Sequence, residues 1–126
     1  MTSFVEFHGF GFWCRNAVLT AWLTELIAEA TPRAAAWPWL GKACLYWDAV
    51  TCALKTGRLD LSLETEITTA ERQRQCEELF EAVAERELSP AVRRCALLAL
   101  ALVRGELTGT RERSVELWSG DEWLEE

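Results

Sequence analysis

Asn16 to Ala30 reads NAVLTAWLTELIAEA. Leu19, Trp22, Leu23, Leu26, Ile27 and Ala30 recur three and four apart, the spacing that aligns side chains along one side of an α-helix, while Thr20, Thr24, Glu25 and Glu29 fall off that line. The segment is therefore a first helix with one apolar face. Thr31-Pro32 ends it, because the residue before a proline avoids helical backbone.

The same period returns further along. A second helix is expected from about Pro38 to Lys55, with the proline in the first turn, where a missing donor costs nothing. Its inward stripe is Leu40, Ala43, Cys44, Trp47, Val50 and Leu54, and Gly57 ends it. Leu59, Leu61 and Leu63 then alternate with Asp60, Ser62 and Glu64, a period of two that fits a short strand or extended segment. Thr68 with Glu71 has the spacing of a capping box and opens a third helix. Cys76, Leu79, Phe80 and Val83 lie on one side of it, and Glu71, Arg74, Glu78, Glu81 and Glu85 on the other. Ser89-Pro90 starts a fourth, which is apolar almost all round from Cys95 to Val103 and is expected to be the central helix, with Gly105 at its end.

Before the first helix, residues 4–13 hold five aromatics around two glycines. This is too glycine-rich for a helix and reads as an extended lead-in packed over the core. After the fourth helix, residues 106–126 carry seven acids against two arginines. Ser114 to Trp118 fits either a short strand or another helical turn. The expected architecture is one mainly α domain over residues 1–126, with four to five helices, short extended segments and an acidic C-terminal segment at 106–126.

The whole chain, 126 residues with half of them apolar and a quarter charged, suits one compact core. A formal charge of -7 argues against a nucleic-acid binder that works by neutralising phosphates. No segment has the form of a targeting signal, and the longest apolar run, Cys95 to Val103, is nine residues, too short to span a bilayer. A cytoplasmic protein without membrane contact is expected. Its five cysteines, Cys14, Cys44, Cys52, Cys76 and Cys95, are odd in number and set in apolar patterns, as reduced core thiols are.

Catalytic and metal chemistry finds few residues to work with. There is one histidine, His8, and no Cys-x-x-C pair, so a zinc site lacks ligands and a serine or cysteine nucleophile lacks a base. Gly9-Phe10-Gly11 does not follow the strand-turn-helix pattern of a phosphate cradle. The acid pairs Asp121/Glu122 and Glu64/Glu66 sit in no apolar context that would separate their proton affinities. Neither an enzyme nor a cofactor is expected.

Tryptophan is the outlying feature, at seven positions. Trp13, Trp22 and Trp47 fall in apolar patterns and are assigned to the core, leaving Trp37, Trp39, Trp118 and Trp123 to explain. Trp118 and Trp123 bracket Ser119, Gly120, Asp121 and Glu122, so large aromatics alternate with carboxylates. That is the composition of an interface hot spot for a basic partner. The competing reading is that this segment folds back and its tryptophans plug the core. The expected partner-binding set is Trp118, Asp121, Glu122 and Trp123, with Asp60 and Glu64 as flanking acids.

The run Gly11-Phe12-Trp13-Cys14-Arg15-Asn16-Ala17-Val18-Leu19-Thr20-Ala21-Trp22-Leu23 resembles the "Gly-Phe-Trp, then an aliphatic, then Trp-Leu" opening of small helical immunity proteins of bacterial polymorphic toxin systems. The resemblance covers about a tenth of the chain and departs from the family at Asn16, where an acid is expected. It implies a cytosolic protein that binds one cognate toxin domain and blocks it, with no active site of its own. A toxin with a basic groove would be steered to an acidic inhibitor. The alternative is an accessory or regulatory helical subunit, in which exposed Trp37 and Trp39 would be buried in a dimer.

Overall fold

A computed structural model describes residues 2–8, 10–53, 57–59 and 61–106. The chain opens with a hairpin of β1 (Thr2–Phe7) and β2 (Phe10–Arg15) and continues directly into α1 (Asn16–Ala30). A 3-10 turn at Thr31–Arg33 leads to α2 (Trp39–Ala53), β3 (Gly57–Leu59), the short α3 (Leu63–Glu66), α4 (Ala70–Ala84) and α5 (Pro90–Val103). The fold is mainly helical, with a small sheet of order β2-β1-β3.

The extended lead-in is thus a paired hairpin. Phe7 is opposite Phe10, so only two residues turn the chain, and His8 takes positive φ (53°) there, which a two-residue hairpin turn requires. β3 lies parallel to β1, with Val5 opposite Leu59. Alternation along the strands puts Val5, Phe7, Phe12 and Cys14 on the core face, where all four are buried. Phe4 and Trp13 pack on the opposite face with ring centroids 5.2 Å apart. Gly11 is required beneath them. A Cβ at this position would lie 2.0 Å from the Val5 carbonyl oxygen and 2.9 Å from the Phe4 ring.

α1 has the bounds its pattern predicts, and it shares the centre with α5: α1 packs on α2, α4, α5 and β2, and α5 on α1, α4, β1 and β2. Trp22 is fully buried and meets Phe80 of α4 edge-on, with ring centroids 5.4 Å apart. Such a buried aromatic contributes about 1.5–3 kcal/mol through its area. α5 is buried along Ala91, Val92, Cys95, Ala96, Ala99, Leu100, Leu102 and Val103, but Leu97 on its other side is 51% exposed. Its all-round apolarity therefore exceeds its burial.

Helix ends follow local chemistry, with some corrections to the sequence reading. α1 ends at Ala30, as Thr31-Pro32 predicts, and Pro32 sits early in the 3-10 turn that follows. α4 is capped by Thr69, not Thr68; the Thr69 hydroxyl accepts from the Arg72 N–H at 3.1 Å, which leaves Glu71 outside a capping box. Ser89 caps α5 and Pro90 occupies its first turn, as expected. At the other end Gly105 takes φ +75°, its N–H donates to Leu102 O, and the Glu106 N–H donates to Ala101 O, the paired bonds of a Schellman turn.

Between α2 and α4 the period-two leucines divide their roles. Gly57 begins β3 rather than ending α2, and the strand closes at Leu59. Leu61 and Leu63 are both buried, but Leu63 already belongs to α3. The segment is fixed from above by the Trp47 indole N–H, which donates to the Leu61 carbonyl at 2.9 Å. The cysteines are all free thiols, and not all are core residues: Cys14, Cys76 and Cys95 are buried, Cys44 is half-buried and Cys52 is exposed. Among the described residues, no helix is long and apolar enough to cross a membrane.

Candidate binding cleft

α4 presents Glu71, Arg74, Gln75 and Glu78 on one side, because residues three, four and seven apart share a helical face. Opposite them stands Trp37, in the connection between the 3-10 turn and α2. Together these five residues line a surface cleft of about 430 Å³.

Local bonds hold each wall. The Trp37 N–H donates to Arg33 O at 2.9 Å, and the Leu40 N–H donates to Trp37 O at 2.9 Å, so hydrogen bonds on both sides hold the backbone that carries the indole. The Arg33 guanidinium lies 5.9 Å from the Trp37 ring centroid, within cation–π range, and donates to Glu29 Oε1 at 2.6 Å. At the floor, the Trp39 indole N–H donates to Gln75 Oε1 at 2.8 Å. Trp37 is half-buried, and Glu71, Arg74 and Glu78 are exposed.

Charge in the cleft alternates along α4 as carboxylate, guanidinium, carboxylate. Neither Glu71 nor Glu78 forms an ion pair within 4 Å among the described residues, unlike the neighbouring acids Glu77 and Glu81, which Arg104 holds at 3.7 and 3.1 Å. Next to the cleft, Glu29 accepts from both Arg33 and Arg86, and these hydrogen bonds, that from Arg33 foremost, hold its carboxyl below the usual carboxylate range against the opposing effect of burial. The cleft thus has an aromatic wall on a braced base, and two carboxylates available to a ligand.

The residues expected at an interface fall largely elsewhere. Asp60, Trp118, Asp121, Glu122 and Trp123 lie outside the described residues. Glu64 is exposed at the hairpin turn, where its Oε1 accepts from the His8 N–H at 3.0 Å and lies 2.9 Å from His8 Nδ1. Trp39, expected to be exposed and available to a dimer, is 6% exposed within the single chain, because it reaches under α4 to Gln75. Trp37 keeps an open surface. The sequence reading missed its grouping with Glu71, Arg74, Gln75 and Glu78. The helical spacing on α4 was visible, but the approach of residue 37 to that face is tertiary.

A smaller groove of about 280 Å³ runs between the hairpin turn and the end of α5, with Phe7, Phe10, Leu102 and Val103 on its apolar side and His8 and Arg104 at its rim. Among the described residues, no group of three or more His, Cys, Asp or Glu side chains is arranged to hold a metal ion. Comparison of the chain with protein-family models, with curated proteins and with solved structures finds no significant match.

Proposed function

We propose that this protein acts by stoichiometric binding to another protein, in the manner of an immunity protein that neutralises a cognate toxin domain, and that the partner presents a basic surface. The observation that carries this reading is the Trp37 cleft, a half-buried indole facing the unpaired carboxylates Glu71 and Glu78. Aromatic anchors with acids around them supply contact area and charge complementarity to a basic surface at the same time. The chain's formal charge of -7 supports this by steering such a partner at long range. The immunity role itself rests on the resemblance of the Gly11–Leu23 run. Asp121, Glu122 and Trp123, with Trp118, Asp60 and Glu64, are proposed as further contacts of the same kind.

A direct test is capture from a lysate of the source organism with the tagged full chain at low and at high salt, followed by mass spectrometry and sizing of the complex. The proposal predicts one protein with a basic domain, bound one to one and released by salt. Recovery of the chain's own copy alone, or of a large assembly insensitive to salt, would reject it in favour of an accessory subunit.

A further inference from the structure

The chain already contains a small version of the contact that the cleft offers. Arg33 places its guanidinium against the Trp37 ring and on the Glu29 carboxylate at once, so one cation is shared between an indole and an acid. Arg33 does not line the cleft, whose walls are Trp37 on one side and Glu71, Arg74, Gln75 and Glu78 of α4 on the other. The same pair of groups, indole and carboxylate, is therefore repeated in the cleft, where Arg74, the one cation among the lining residues, makes no ion pair within 4 Å with another described residue.

We infer that the Trp37 cleft is a receptor for an arginine side chain of the partner protein, stacked on the Trp37 indole and hydrogen-bonded to Glu71 or Glu78. This deepens the proposed function and rests on it for the source of the arginine. A guanidinium suits the site better than an ammonium, because it is planar, stacks on an aromatic ring and donates two parallel hydrogen bonds to a carboxylate. Gln75 is withheld from the ligand on its carbonyl side by Trp39, which keeps the floor neutral and fixed.

Arg74 gives the inference its sharpest consequence. It stands between Glu71 and Glu78 on α4, three residues from one and four from the other, within helical reach of both. It is exposed, and no bond ties it to another described residue. It thus competes with an incoming cation for both carboxylates and adds repulsion of its own. Removing its charge should strengthen binding of an arginine, whereas a cleft built for an acidic ligand would depend on Arg74 and lose binding with it.

The experiment titrates the isotope-labelled full chain with two short peptides, Ac-Gly-Arg-Gly-amide and its citrulline counterpart, which has nearly the same shape without the charge. The readout is the Trp37 indole N–H and Gln75 side-chain resonances. Expected are saturable shifts in the millimolar range with the arginine peptide only, about threefold tighter in Arg74→Gln and about threefold weaker in Glu78→Gln, as solvent-exposed charges allow. Glu71→Gln serves as a second weakening variant should Glu78→Gln perturb α4. Equal response to the citrulline peptide, no saturable shift at Trp37, or weaker binding in Arg74→Gln would overturn the inference. A salt-sensitive one-to-one partner captured from lysate alongside any of those results would leave the broader function standing and place the contact on another surface.

Discussion

Trp39 and Gln75 meet through one hydrogen bond, indole N–H to Oε1 at 2.8 Å, and it joins the start of α2 to the cleft face of α4. Trp39 is almost wholly buried, so its N–H has little water to turn to if Gln75 is lost. Gln75→Leu should therefore destabilise the protein by about 1–2 kcal/mol, the cost of an unpaired buried donor. Trp39→Phe removes the donor as well, and the double variant should lose less than the two single losses added. Urea unfolding of the four proteins measures the cycle.

Gly11→Ala is expected to be among the most damaging single changes. The new methyl would meet the Val5 carbonyl at 2.0 Å, and this is backbone of the central strand, which has no side-chain freedom with which to yield. A loss of about 3 kcal/mol or more follows from overpacking at a rigid site. Thermal unfolding by circular dichroism reads it directly.

Arg86 bridges α1 to the end of α4, with Nε 2.6 Å from Glu25 Oε1 and a second bond to Glu29. Because the Glu29 carboxyl is held below its usual value of 4.5, its contribution is complete above that pH and is lost as pH falls through the lower folded value. Arg86→Gln should cost about 1 kcal/mol at neutral pH, a modest figure because the pair is partly solvated. The gap between wild type and variant should narrow on acidification below pH 4.5, seen by repeating denaturant unfolding across that range.

Thiol reactivity should sort the five cysteines by position. Cys52 is exposed and should react first with a disulfide reagent at mildly alkaline pH. Cys44 should follow slowly, since burial pushes its thiol up. Burial does the same more strongly to Cys76 and to Cys95, the latter also hydrogen-bonded to the Cys14 thiol, and all three of Cys14, Cys76 and Cys95 are buried, so they should react only on unfolding. Fast labelling of Cys14 or Cys95 in the native protein would contradict the packing of β2 against α5.

How far the sequence could be read depended on whether a feature was local. Asn16–Ala30 was legible to the residue because its apolar period and the Thr-Pro after it are both encoded within a few positions. The Ser89-Pro90 start and the Gly105 end of α5 are local in the same sense. The hairpin was missed because large apolar side chains on both faces of residues 4–13 hid the alternation: Phe4 and Trp13 pack on one face while Val5 and Phe12 fill the other. Composition likewise made α5 look buried on nearly every side, whereas Leu97 shows that an apolar run can exceed the surface available to cover it.

The cleft was the least legible part. Trp37 and Trp39 are two residues apart and alike in sequence context, yet one is open and the other is buried under α4. What separates them is that Trp39 begins α2 and bonds to Gln75 of α4, whereas Trp37 stands in the connection before it, and no local pattern encodes that. The spacing of Glu71, Arg74, Gln75 and Glu78 is the usual one of a solvated helix face and acquires meaning only from the indole brought opposite to it.

The most direct test of the account is quantitative capture of a partner from source-organism lysate by wild type and by Trp37→Ala, with both proteins first shown to be equally folded by circular dichroism. The account predicts that wild type retains a basic protein at one-to-one stoichiometry and that the variant loses most of it, by more than about 2 kcal/mol in affinity if Trp37 is a hot spot. Equal retention by the two proteins, or no partner retained by wild type, would contradict it.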